Sequence, residues 1–307
     1  MRSEGELELT TFSPTDAALE GFRIAREKPR VLMVWAVVNL VISVVMALVL
    51  VGAFGQTLVE LEAMSQEGAE DPAQALALFQ RLAPLYALMI PAGLVVIAVT
   101  SAAVYRIVLR PQDDRFAYLR LGRDELRLVG LMLIYLVLAI GFTFVVTLVA
   151  GLLAAGAAAL GGGAGALIGL LIGLGTLAFM IFVIVRLSLA GPMTFAEGRM
   201  RVFHSWTLTR GHFWRLLGVY VLALALTIVV MLLALIIYAA TAAIMAGGDL
   251  SEVGRVFAPD MSSIGGYFSA SMILYLVFAA FLGAVQNAVL YAPPAVVYRE
   301  LAGPTEG

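Results

Sequence analysis

The sequence predicts an all-α polytopic membrane protein, six transmembrane helices set as three hairpins, with short amphipathic helices at the interface. Three observations predict it. Apolar residues make up 62% of the 307 residues and charged residues 13%, at a mean hydropathy of +1.00. An average soluble domain is about 25% charged, so a soluble core of this size is excluded. Six apolar runs approach or exceed the roughly 18–20 residues that cross a bilayer. Finally, the bases fall in alternate segments between those runs, as the positive-inside rule requires of cytoplasmic loops.

The runs are 31–54, 85–108, 128–150, 167–185, 216–245 and 270–291. Before the first lie Arg2, Arg23, Arg26, Lys28 and Arg30. Between the second and third lie Arg106, Arg110, Arg115, Arg120, Arg123 and Arg127. Between the fourth and fifth lie Arg186, Arg199, Arg201, Arg210 and Arg215, and Arg299 closes the last run. Only Arg81 and Arg255 of the 19 bases fall elsewhere. A five-span chain would not alternate in this way, so both termini are expected to be cytoplasmic. The organisation expected is an arm at 1–30, a six-helix membrane domain at 31–301 and a tail at 302–307.

In the arm, Ser13-Pro14-Thr15-Asp16 is a helix start, and Ala18, Phe22 and Ala25 recur at helical spacing, which predicts an amphipathic helix on the inner surface. Its acids and the length of the following run argue against a cleavable signal peptide. The outer segment 55–83 holds Glu60, Glu62, Glu67, Glu70 and Asp71 without calcium or zinc ligand spacing and reads as a solvated loop, with Asp71-Pro72 starting a short helix. Pro91 is expected to kink the second span.

Spans two, four and six end alike. Arg106, Arg186 and Arg299 are each followed by a leucine two or three residues on and a proline five or six on. With the basic starts of the odd spans, this pattern suggests one hairpin unit repeated three times around a pseudo-threefold axis. Gly161, Gly165, Gly169 and Gly173 on span four, and Ala280, Ala284, Ala288 and Ala292 on span six, put small residues at every fourth position, which predicts close helix packing.

The stretch 198–218 mixes bases and aromatics between two spans. Thr194 and Glu197 stand three apart, as in a capping box, and predict a helix start there, with Met200, Phe203 and Trp206 on one face. Gly211 breaks it before the fifth span. Such a segment reads as an interfacial helix with arginines at headgroup level.

Groups that carry chemistry are few. The chain has no cysteine, which excludes disulfides and thiolate ligands. Asn39 on span one and Gln286-Asn287 on span six lie at similar depth and are expected to form an interhelical polar clamp. His204 and His212 have no nucleophile or orienting acid nearby, and no metal or cofactor motif occurs. Asp113-Asp114 and Asp124-Glu125 read as surface ion pairs and helix caps. Arg106, Arg123, Arg127, Arg186, Arg210, Arg215 and Arg299 all lie at inner span ends and are expected to contact anionic headgroups, with Phe213, Trp214, Trp206 and Tyr118 as anchors.

Segment 205–220, S-W-T-L-T-R-G-H-F-W-R-L-L-G-V-Y, resembles the membrane domain attached to some bacterial glycerophosphoryl diester phosphodiesterases, and segment 109–127 is similar to free-standing relatives of that domain. The resemblance implies a bacterial inner-membrane protein. The phosphodiesterase barrel with its metal ligands is missing here, so the resemblance transfers no catalysis. The expected role is a non-enzymatic accessory or scaffold module linked to envelope lipids or a membrane partner, with a second copy of the chain as one possible partner and no nucleic acid. The alternative is a transporter or channel for a small or lipidic molecule.

Overall fold

The structure, a computed structural model, describes residues 12–67, 72–159, 161–248, 256 and 258–303. Of the described residues 86% are helical, and none lies in a strand. The helices are α1 (Pro14–Glu27), α2 (Pro29–Glu67), α3 (Pro72–Leu109), α4 (Arg123–Ala159), α5 (Gly162–Leu187), α6 (Ala190–Glu197), α7 (His204–Leu208), α8 (Phe213–Met245), α9 (Ile264–Tyr267) and α10 (Ala270–Ala302). Six of them, α2, α3, α4, α5, α8 and α10, are long and apolar enough to cross a membrane. The predicted six-span, all-α class is what the chain adopts.

The described residues form two compact units. The first takes Ala98–Leu222 with the residues before Leu19 and from Tyr291 onward; the second takes Leu19–Ile97 and Ala223–Leu290.

In the second unit the first hairpin departs from expectation. α2 has 39 residues and α3 has 38, about 58 and 57 Å at 1.5 Å per residue, against a hydrocarbon layer of about 30 Å. Most of the stretch that reads as an acidic loop is therefore helix. Leu78, Leu82 and Leu85 pack against Leu50, Phe54 and Leu58, a seam at helical spacing. Arg81 and Glu60 pair at 2.8 Å on the exposed side. Glu70 and Asp71 lie outside the described residues. α3 runs unbroken through Pro84 and Pro91.

α10 is central to this unit, and the alanine stripe is why. Ala280, Ala284 and Ala288 are buried, so neighbouring backbones come close to α10. Gly21 on α1 meets it directly: a Cβ there would lie 2.6 Å from Val289 N and 2.7 Å from Ala288 O. α1 is thus docked through Gly21 rather than lying free on a surface. The buried positions are Ala17, Ala18, Glu20, Gly21 and Ile24, a face rotated from the predicted Ala18–Phe22–Ala25 stripe. Its start is as expected, with Asp16 N–H donating to Ser13 Oγ at 3.3 Å.

The polar clamp is corrected in detail. Asn39 Nδ2 donates to the Ala280 carbonyl at 3.4 Å, beside Gly283. Among the described residues no hydrogen bond joins Asn39 to Gln286 or Asn287. Small residues bring the α10 backbone within reach, so a carbonyl takes the place of a side-chain partner. Ahead of α10, Ser263 caps α9 by accepting Gly266 N–H at 3.0 Å. Ser262 donates its N–H and hydroxyl to Asp260, holding that carboxyl below the usual carboxylate range.

The glycine stripe on α5 behaves differently from the alanine stripe. Gly165 packs on the Ala157 carbonyl of α4, but Gly169 and Gly173 face open space. The close packing expected along the whole stripe occurs only at the turn between α4 and α5.

Candidate functional site

The first unit gathers the ends of spans two, four and six with the starts of three and five. Arg299 Nη1 donates to the Val108 carbonyl at 3.3 Å, joining the ends of α10 and α3. Tyr220 on α8 donates to Ser188 Oγ, just past α5, at 2.6 Å. The link 198–203 is held to α4 by Tyr135 Oη, which donates to Val202 O at 2.6 Å.

A charge network fixes the α3–α4 connection. Arg106, in the last turn of α3, donates through Nη1 to Tyr118 O at 2.7 Å and through Nη2 to Glu125 Oε1. Both side chains of this ion pair are at most 4% exposed. The other Glu125 oxygen accepts the Gly122 N–H at 2.9 Å, so one carboxylate caps α4 and neutralises a buried arginine. Arg110 donates to Asp124 and to the Phe195 and Ala196 carbonyls, each at 3.2 Å, the last two being orphan acceptors at the end of α6. Asp124 also accepts from Arg127 at 2.8 Å, and Arg120 forks onto Asp113. The guanidinium groups of Arg106 and Arg110 lie 5.3 and 4.7 Å from the ring of buried Phe195.

These contacts correct two readings. Glu125 belongs to a buried pair rather than a surface one. Arg106 and Tyr118 are withdrawn from any headgroup, because α6 and the 110–122 connection close over them.

The connection carries a feature with no sequence signal. Phe116, Ala117 and Tyr118, none of them glycine, have φ of 54°, 53° and 66°. A left-handed turn costs L-residues roughly 1–2 kcal/mol per residue, so it persists only where its surroundings hold it. Here Arg106 holds Tyr118 O, and Tyr118 Oη donates to Pro111 O at 3.1 Å. The turn buries Tyr118 and throws Phe116 outward, 78% exposed.

The 188–212 connection is also unlike its prediction. Thr194 and Glu197 do not start a helix; α6 ends at Glu197, with Gly198 in the left-handed C-cap conformation at φ 62°. Thr194 Oγ1 accepts the Arg201 N–H at 3.2 Å, and Arg201 pairs with Glu197 at 2.7 Å. Pro192, Met193, Thr194 and Phe195 are buried; packing inside the unit, rather than a cap, decides where this helix lies. Ser205 Oγ donates to Arg186 O at 2.8 Å and accepts Leu189 N–H at 3.2 Å, closing the end of α5.

The seven headgroup arginines therefore divide. Arg106 is buried and paired. Arg127 is held by Asp124, and Arg299 by Val108 O and Glu300. Arg186 is buried beneath aromatic rings. Arg123, Arg210 and Arg215 are exposed and have no carboxylate partner among the described residues; Arg115 and Arg199, which the sequence reading passed over, share that state. Each free base stands close in sequence to exposed apolar side chains: Arg115 to Phe116, Arg123 to Leu121 and Leu126, Arg199 to Met200 and Phe203, Arg210 to Trp206, and Arg215 to Trp214, which is 79% exposed. His204 sits 3.1 Å from Arg201 Nη1, and the His212 ring is 6.4 Å from Phe12. Among the described residues no cluster of three metal-ligating side chains occurs.

The six long apolar helices define a class, a multi-pass integral membrane protein. No protein-family model, curated protein or solved structure matches the chain.

Proposed function

We propose that the chain is a non-enzymatic accessory or scaffold module of a bacterial inner membrane, with both termini cytoplasmic, and that its basic rim binds anionic lipid headgroups. One observation carries this reading. Five exposed arginines, free of carboxylates among the described residues, alternate with exposed aromatic and aliphatic side chains on and beside two connections of one unit. Apolar groups of this kind insert at the acyl boundary while arginines reach phosphate oxygens. Each base near an anionic surface contributes roughly 1 kcal/mol. The resemblance to the membrane domain of glycerophosphoryl diester phosphodiesterases supports the same reading, since segment 205–220 supplies Trp206, Arg210, Trp214 and Arg215 to the rim.

Two experiments test it. With cysteine placed singly at Thr207 and Ala258, both exposed, an impermeant thiol reagent should label only Ala258→Cys in intact cells. Labelling of Thr207→Cys would put the rim on the wrong side. In nanodiscs, replacing phosphatidylcholine by phosphatidylglycerol should raise the thermal midpoint of the wild type. The triple variant Arg123→Gln, Arg210→Gln, Arg215→Gln should lose most of that rise. An equal rise in the triple variant would remove the rim's role.

A second reading, transport of a lipidic molecule, is favoured by a cleft of about 580 Å³ in the second unit. It lies between α8 and α10, lined by Met231, Leu235, Tyr238, Tyr275, Phe278 and Leu282 among others. Such a lining fits an acyl chain and offers a polar solute little. Flux of labelled lipid in proteoliposomes would favour it over the scaffold reading.

A further inference from the structure

Arg186 is the exception among the arginines of the first unit that are buried or half-buried. Arg106, Arg110, Arg120, Arg127 and Arg201 each have a carboxylate. Arg186, only 8% exposed, has none among the described residues, and its Nε is fully buried without a hydrogen bond. Its guanidinium instead lies 5.0 Å from the Trp206 ring and 5.8 Å from that of Phe182. Those rings pack edge to face at 5.6 Å, and Phe213 closes on Phe182 at 5.3 Å.

Aromatic faces attract a cation, but they neither neutralise it nor satisfy all its N–H donors. A largely buried charge with no counter-ion and a buried N–H left unbonded is unfavourable. The hydroxyls of Ser205 and Thr209 bond the Arg186 backbone carbonyl, and among the described residues no hydrogen bond joins either to its guanidinium. The neutralising group must therefore come from outside this part of the chain. Trp206 belongs both to the cover over Arg186 and to the exposed rim, so a headgroup gathered by the rim lies next to this guanidinium.

We infer that Arg186 is a discrete anion subsite, taking one phosphate group through two oxygens on its guanidinium edge, with Trp206 and Phe182 as its walls. The phosphate is that of an anionic phospholipid headgroup or free phosphate; the fork geometry of arginine suits both. The inference rests on the rim reading for its supply of headgroups.

The test uses the full chain in nanodiscs of pure phosphatidylcholine, of rising phosphatidylglycerol content, or of phosphatidylcholine with inorganic phosphate. The wild-type thermal midpoint should rise and saturate with phosphatidylglycerol. A response to inorganic phosphate as well supports a free-anion site; a response to phosphatidylglycerol alone supports a headgroup site. Arg186→Met should match or exceed the wild type in phosphatidylcholine, since it removes an uncompensated charge. It should also lose the saturable rise, and Arg186→Lys should need at least tenfold more anion. The rim triple variant should lose most of the rise, but the small part that remains should still saturate, at a higher phosphatidylglycerol fraction. If Arg186→Met were destabilised equally in all discs, or kept the saturable rise, the subsite would be refuted while the rim reading stood. If the wild type and every variant responded alike to phosphatidylglycerol, both readings would fall.

Discussion

Arg106→Ala should destabilise the protein by about 3–5 kcal/mol, the range for removing one partner of a buried ion pair. The loss arises chiefly from what remains. Glu125 would keep a negative charge at 3% exposure, with only the Gly122 N–H to stabilise it. The Tyr118 carbonyl would lose its donor, so the left-handed turn at 116–118 would lose the contact that holds it against its strain. Unfolding in detergent, followed by a fluorescence or thermal midpoint, measures the effect. The double variant Arg106→Met, Glu125→Leu should recover much of it, because an apolar pair of similar volume leaves no charge behind. A single-variant loss under 1 kcal/mol would mean that water reaches the pair.

Gly21→Leu should be the second large effect. Its Cβ would fall on the backbone of Ala288 and Val289, and backbone cannot rotate away as a side-chain tip can. Overpacking of this kind typically costs about 1–3 kcal/mol, and here separation of α1 from α10 is the only relief. Limited proteolysis near α1 and the thermal midpoint should report it together. Gly169→Leu is the matched control: it puts the same side chain into open space, so its midpoint should stay within about 0.5 kcal/mol of wild type. Equal stability of Gly21→Leu and wild type would undo the docking of α1. A fall in Gly169→Leu would instead show that another chain covers that face of α5.

The contrast between these glycines marks a limit of sequence reading. A glycine every fourth residue predicts close approach, yet spacing names neither the partner helix nor whether one exists. The alanines on α10 have the same period and are buried; Gly169 and Gly173 on α5, which look equivalent, face open space. The arginines at the ends of α3, α5 and α10 tell the same story. One sequence pattern places them alike in the last turn of each helix. Their partners then differ, namely a carboxylate for Arg106, aromatic rings for Arg186, and a carbonyl with a neighbouring glutamate for Arg299.

The class and the spans are written in the sequence by itself, because in lipid every backbone N–H and C=O must be satisfied within the chain. A run of apolar residues long enough to cross has no alternative to the helix. Which bases are free was decided only by the tertiary structure. Asp113, Asp124, Glu125 and Glu197 compete for the arginines near them, and distance and burial settle that competition through contacts between separate elements. The left-handed turn at 116–118 was decided the same way, since without a glycine no local preference favours it, and the Arg106 bond from α3 supplies what local propensity lacks.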